Sequence, residues 1–573
     1  MNQLLRLSPR PVRLTRSRRW LAGAALLAGL LTGAAGRAEA QTPTWQTACR
    51  LPGPLAIPGP NRVTDAAGDV YEAGTFAGFR TLGAFTLVSN GGTPDAYVAR
   101  FTPTGGCVWA VRAGDFGADA ATDLALDPAG NVVVTGRFSG TAAFGPVTLT
   151  SQGGTDLFVA PLSAAGVWLG ATGAGSTADD QGLAVALDAA GDALVAGTFG
   201  APFTLGTTPL PTAGAGDLLV AKLLAGGGWA WAAAVSAPLP APSSFSSLRV
   251  TALTTDGTGN VTLAGQFANT TLQFGSTVLV NGNIHQFQYD GFVAQLSAAG
   301  QWRWARGMAG AADDQCADLA ADGAGNLYVC GSFNSDTLTF AGLPDVANSH
   351  PGGSLGFDGY VAMLTPAGAW AWAMPVASVG FLSLYALAVE PTGRLYLAGG
   401  YSGTATFGGT TLANTGAFDV LVAALTPART WAWAVASTGN SGSDNSGTAL
   451  SLAVPGQLIV TGYLSSGVGR FGSVVVPASG TFRARLGIPL GTDDDDGVAP
   501  GFTLFPNPAR GTATLRAPFS GAGAPTATLL DALGRVVRTY RLEPKTSPLD
   551  LAGLPAGLYT VRAGGRARRL VVE

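Results

Sequence analysis

One segment is written seven times along this chain, and a repeat of that length calls for many short strands packed as successive sheets. Its clearest part is a turn followed by an apolar run ending in glycine and an aromatic. It reads Asp127-Pro-Ala-Gly-Asn131-Val-Val-Val-Thr-Gly136-Arg-Phe138 in one copy and Asp322-Gly-Ala-Gly-Asn326-Leu-Tyr-Val-Cys-Gly331-Ser-Phe333 in another. The strand-ending glycines are Gly74, Gly136, Gly197, Gly265, Gly331, Gly399 and Gly462, at spacings of 62, 61, 68, 66, 68 and 63 residues. Each copy holds four strand-like runs. The first is short and apolar, as in Asp123-Leu-Ala-Leu-Asp127, and a hairpin turn joins it to the second. The turn's Asp and Gly-Asn supply side-chain turn bonds and positive φ. An insert with a Phe-Gly or Leu-Gly pair follows, as at Phe144-Gly145 and Leu205-Gly206. The third run opens on Asp95, Asp156, Asp217, Asp290, Asp358 or Asp419, and the fourth carries tryptophan, as in Trp302-Arg-Trp304.

Four strands per repeat, with no long helical period, predict an all-β chain: a seven-bladed β-propeller over residues 41–487. The seventh copy has no tryptophan strand after Gly480-Thr-Phe482-Arg-Ala484, and the missing piece stands at Thr44-Trp45-Gln-Thr-Ala-Cys49. An N-terminal strand completing the last blade closes the ring and removes exposed sheet edges. Paired tryptophans such as Trp229/Trp231 and Trp431/Trp433 are expected on one face of their strand, packed between blades. These repeats resemble the bacterial β-propeller repeat of the SBBP kind, with its core Asp-x-x-Gly-Asn-x-Tyr-x-x-Gly. The copies at Asp65, Asp127, Asp188, Asp256 and Asp322 match it well, while those at Glu390 and in the seventh repeat depart from it. The resemblance implies a fold and no activity.

Charge is unevenly placed. The chain's formal net charge is −3, yet residues 1–40 hold seven arginines and one glutamate, leaving 25 basic against 34 acidic side chains beyond them. A basic start, the apolar run from Trp20 to Leu31 and the small-x-small site Ala38-Glu39-Ala40 read as a secretory signal peptide over residues 1–40. An acidic remainder without a Lys/Arg cluster argues against nucleic acid as a partner. In an exported chain disulfides are permitted. Cys316 and Cys330 flank a turn centred on residue 323, so a hairpin there predicts a Cys316–Cys330 bridge. The pairing of Cys49 and Cys107 is left open.

After Ile488 the texture changes. Residues 488–500 include Asp493 to Asp496 and read as an acidic linker. Residues 501–573 then show Phe505-Pro506-Asn507-Pro508, the turn Gly534-Arg535, Leu554-Pro-Ala-Gly557-Leu-Tyr559, and a basic, apolar last strand from Arg566. This resembles the type A C-terminal sorting domain of the Bacteroidetes type IX secretion system. The resemblance implies a small β-sandwich gripped by the secretion machinery and export to the cell surface or medium. It also implies release, or attachment to surface lipopolysaccharide.

The search for chemistry yields little of catalytic type. His285 and His350 have no GxSxG elbow beside them and read as loop residues. Acidic residues gather instead in the loops that precede first strands: Asp115, Asp119, Asp179, Asp180, Asp313 and Asp314. On a propeller these loops share one face, where carboxylates could hold a polyhydroxylated ligand or calcium. No other cofactor is expected. The reading is a monomeric, surface-displayed binding or adhesion scaffold for glycans. Its alternatives are a polysaccharide lyase or glycosidase using those carboxylates, or a passive structural component.

Overall fold

The computed structural model describes residues 43–572, apart from 52–60, 238–247, 283–287, 351–355, 440–443, 453–456, 489–502, 506–508, 518–525, 531–535 and a few shorter gaps. The described residues are all strand, turn and loop, with no helix among them. The expected signal peptide at 1–40 and most of the acidic linker lie outside the described residues.

Seven antiparallel sheets carry the repeats, each built on four strands, and the fourth is extended to six by Thr337–Phe340 and Val346–Ala347. The first comprises Asn61–Thr64, Val70–Phe76, Asp95–Phe101 and Cys107–Ala113. The third is equally regular, with Gln181–Leu187, Ala193–Phe199, Asp217–Leu223 and Trp229–Val235. The seventh contains Asn445–Ser451, Gln457–Leu464 and Gly480–Gly487, and its fourth strand is the N-terminal Thr44–Arg50, paired from Thr44 opposite Gly487 to Arg50 opposite Phe482. Trp45 meets Phe471 edge-on at 4.9 Å, just as Trp431 meets Phe407 in the sixth sheet.

Local chemistry explains the repeat. Asp127 Oδ1 accepts the amides of Ala129 and Asn131 at 2.9 and 2.8 Å, and Gly130 between them has φ 82°. Asp188, Asp256 and Asp322 build the same turn. The strand-ending glycine has a separate cause. A Cβ on Gly136 would stand 2.0 Å from the Ala120 carbonyl, and one on Gly331 1.8 Å from that of Gln315. The first strand bulges at that point, between Ala121 and Asp123 or between Cys316 and Asp318, and its backbone crowds the second.

Sheets pack face to face through apolar clusters. Tyr71 and Phe138 belong to the cluster between the first and second sheets, Leu194 and Phe267 to that between the third and fourth. Two sequence expectations are corrected by this packing. Each tryptophan strand is bulged, so that Trp231 faces Lys222 while Trp229 faces Leu223. The extra residue turns the pair to opposite faces: Trp229 joins the cluster between the second and third sheets, Trp231 that between the third and fourth. Likewise Cys316 lies opposite Gly331, and Cys330 lies opposite Asp318 beyond the bulge. The two thiols point into different clusters and are unbonded, so the expected Cys316–Cys330 disulfide is not formed. Cys49 and Cys107 are also free thiols.

The contact between the seventh and first sheets is of another kind. Glu72, 1% exposed, accepts from Arg62 Nε and Nη2 at 2.9 and 2.8 Å, from Arg80 Nη2 at 3.0 Å and from the Tyr97 hydroxyl at 2.5 Å. Arg62 reaches on to Thr481 Oγ1 of the seventh sheet at 3.1 Å. In the other direction Arg483 donates to the carbonyls of Pro103 and Gly68 at 2.7 and 3.0 Å.

In the C-terminal segment, Thr503–Phe505, Thr512–Ala517 and Lys545–Asp550 form one sheet, and Val536–Arg541, Thr526–Leu530, Gly557–Ala563 and Arg566–Val572 another. Leu515 and Leu549 of the first share an apolar cluster with Leu529, Tyr559, Val561 and Leu570 of the second.

Candidate functional site

The loops before the first strands hold two kinds of carboxylate. Asp119, Asp180 and Asp314 are 1–2% exposed. Asp119 accepts the amides of Asp115 and Ser139, Asp180 those of Ser176 and Gly200, and Asp314 the hydroxyl of Ser335. Burial pushes the Asp119 carboxyl up to about 6 and the Asp314 carboxyl up to about 8, with Asp290 adding repulsion at the latter. These three side chains are committed to holding their loops and have little surface to offer a ligand.

Asp115, Asp179 and Asp313 face outward to a greater degree and tie each loop to the sheet before it. Asp115 accepts from Asn90 Nδ2 at 3.2 Å, Asp179 from the Thr155 amide at 2.9 Å, and Asp313 from the Tyr289 amide at 3.0 Å. Asp179 is open to solvent, as is Phe116 beside Asp115, 74% exposed. The six expected site residues therefore divide into three buried caps and three loop carboxylates. No group of three or more acidic, histidine or cysteine side chains converges on a metal-sized point among the described residues.

The aspartates that open the third strands behave as the sequence suggests for a repeated structural residue. Asp217 takes the Ala213 amide on one oxygen and the Ala237 amide on the other, at 2.6 and 2.8 Å. Asp358 does the same with Ser349 and Ser378, at 2.7 and 3.1 Å.

His350 sits beside Ser349 and Asp358 without forming a catalytic triad. Its Nδ1 faces both Ser349 Oγ, at 3.2 Å, and Asp358 Oδ1, at 3.8 Å, while its Nε2 accepts the Gly380 amide at 3.2 Å. A base needs one nitrogen on the nucleophile and the other on the carboxylate. Here one nitrogen meets both and the second is occupied. His285 lies outside the described residues.

Two further features lie outside the six expected site residues. Asp123 and Asp318, on the first strands of the second and fifth sheets, each accept an amide of the next sheet, from Val185 and Leu387, both at 2.8 Å. Burial pushes them up to about 7 and about 6, and Asp318 adds repulsion at Asp123. The second feature is a cavity of about 470 Å³ between the second and third sheets, with Asp156, Phe203 and Trp229 among its walls. Its only trace in the sequence is the glycine-rich stretch Gly170-Ala-Thr-Gly173-Ala-Gly175 where other copies carry a second tryptophan.

In the tail, Gly557 is exposed, and Tyr559 is buried with its hydroxyl donating to the Pro555 carbonyl at 2.9 Å. Pro506, Asn507, Pro508, Gly534 and Arg535 lie outside the described residues.

Comparison with known proteins places one part of the chain. Residues 503–572 match the secretion system C-terminal sorting domain family, so the chain carries a type IX secretion sorting tail. No curated protein matches the chain. Among solved structures, it is similar to PorZ, described as an essential bacterial surface component of the type IX secretion system of Porphyromonas gingivalis. The identity is 11%, the match covers 92% of this chain and 100% of that one, and the TM-score is 0.14. It is also similar to dimeric latent PorU of Porphyromonas gingivalis, at 13% identity and a TM-score of 0.11, over 50% of this chain and 31% of that one. At such scores neither structure bears on what this chain does.

Proposed function

We propose that the seven sheets form a seven-bladed β-propeller over residues 41–487, exported behind a signal peptide at 1–40 and joined by an acidic linker at 488–500 to a sorting domain at 501–573. The sorting tail carries this reading, because a chain bearing it is addressed to the type IX machinery and so to the cell surface or medium. Outside the cell the propeller serves as a binding or adhesion scaffold for surface glycans, released or attached to lipopolysaccharide, and is not an enzyme. Its ligand face is built by the loops before the first strands. Rigid, repeated strands fix the positions of loops that differ from copy to copy, which is how a scaffold presents recognition groups. Asp115, Asp179 and Asp313 supply that face with acceptors, and Phe116 with an exposed ring. Calcium bridging from these loops to a glycan belongs to the same proposal.

The test uses the exported protein immobilised against purified bacterial surface polysaccharides, with and without calcium. Changing Asp115, Asp179 and Asp313 together to Asn should weaken binding while the thermal midpoint stays close to wild type. Retained affinity in that variant sinks the assignment of the face. Retention in the periplasm of a chain lacking residues 503–573 is the expected result for export.

A further inference from the structure

We infer that the cavity between the second and third sheets is a subsite for one or two neutral sugar rings, with Asp156 as the hydroxyl acceptor and Trp229 as the stacking wall. The inference deepens the glycan-binding reading and rests on it. It begins with a defect in the repeat. The fourth strand of the second sheet is only Thr172–Ala174, whereas its counterparts run from six to eight residues. Gly170 stands where the third to sixth sheets carry Trp231, Trp304, Trp372 and Trp433. The shortened edge leaves the cavity of about 470 Å³, within the range of roughly 300–1,000 Å³ typical of small-molecule sites.

One residue lining this cavity carries an unmet hydrogen-bonding demand. Asp156 is 1% exposed, and its Oδ2 accepts the Gln152 amide at 2.9 Å. Its Oδ1 is buried with no partner. In the third and fifth sheets the matching oxygen takes an amide twenty residues further on, from Ala237 for Asp217 and from Ser378 for Asp358. The corresponding amide here is that of Ser176, and it donates to Asp180 instead. The diverted amide leaves a buried oxygen without a partner on a residue that lines the cavity, an arrangement that favours a ligand able to donate an O–H. Asp95 and Asp419 also have an unpartnered Oδ1, but neither lines this cavity.

The remaining walls fit a polyol with an apolar face. Trp229 and Phe203 are half-buried and line one side, while Thr150, Gln152 and Thr204 are exposed and polar at the rim. An aromatic plane beside a carboxylate and neutral donors matches a sugar ring, whose C–H face stacks while its edge hydroxyls donate. One carboxylate with no second anionic ligand is a poor match for a divalent cation, which seeks six or more oxygens.

The test is saturation-transfer NMR on the intact exported protein with glucose, galactose, N-acetylglucosamine and their β-linked disaccharides as probes. At least one probe should show transfer. Asp156→Asn should weaken its binding about tenfold or more, since the amide cannot replace an anionic acceptor. Thr204→Trp, at an exposed rim position, should fill the cavity and abolish the signal with the fold intact. No transfer from any probe, or a signal that survives Thr204→Trp, overturns the subsite. If polysaccharide binding is lost in the loop-carboxylate variant but persists in Thr204→Trp, the scaffold reading stands and only the subsite falls. Loss of neither overturns both.

Discussion

Glu72→Gln removes one negative charge from the contact between the seventh and first sheets and leaves its shape nearly unchanged. Two guanidinium groups depend on that charge. The side chains of Arg62 and Arg80 are 3% and 4% exposed, and each makes its ion pair with Glu72, at 2.8 and 3.0 Å. Neutralising the carboxylate strands both cations away from water, and breaking a buried pair in this way costs about 3–5 kcal/mol. Tyr97 adds to the loss, because its hydroxyl donates to the same carboxylate and its ring lies 4.1 Å beneath Arg80. The triple change Arg62→Leu, Glu72→Leu, Arg80→Met removes the charges together, and replacing a whole buried ionic group by apolar residues is neutral or stabilising by about 1–4 kcal/mol. The triple variant should therefore be clearly more stable than the single one.

Guanidinium-chloride and thermal unfolding of the exported protein, followed by tryptophan fluorescence, measure the difference. Trp45 reports on the closing strand, where it packs against Phe471. A single variant as stable as wild type, or a triple variant no better than the single, would show that the network does not hold these two sheets together.

Acid should stabilise the fold. Asp123, Asp290, Asp314 and Asp318 are held up at about 7, 6, 8 and 6 by burial, so their stabilising contribution is complete below about pH 4 and is lost as pH rises through those values. Asp188 and Asp256 are lowered and act in the opposite sense, but only as pH falls through the ordinary carboxylate range. Scanning calorimetry should show the midpoint rising from pH 8 to pH 5, and a flat or falling midpoint contradicts the burial argument. Peptide mapping of non-reduced exported protein should find Cys316 and Cys330 as unlinked thiols that react only after unfolding, since both are fully buried and burial pushes the Cys316 thiol up to about 12. A Cys316–Cys330 linked peptide would contradict the bulged register.

What the sequence reveals here is set by how local each interaction is. The Asp127 turn is readable because the carboxylate, the amides it accepts and the positive-φ glycine lie within four residues. The strand at Thr44–Arg50 is readable for another reason: the seventh copy lacks one element and the chain start offers one. The faces of Trp229 and Trp231 are not readable, because one bulged residue inverts them, and the same slip separates Cys316 from Cys330. Adjacent acids defeat a one-dimensional reading most directly. Asp179 is exposed and Asp180 is 1% exposed, yet nothing in their composition distinguishes a carboxylate facing solvent from one capping a loop. The unsatisfied oxygen of Asp156 lies furthest from the sequence. It arises because Asp180 captures the Ser176 amide, where the third and fifth repeats give the matching amide to their third-strand aspartates. A repeat therefore locates its own exceptions only after the hydrogen bonds are drawn, and on a scaffold whose copies are otherwise structural those exceptions are where ligand specificity has room to arise.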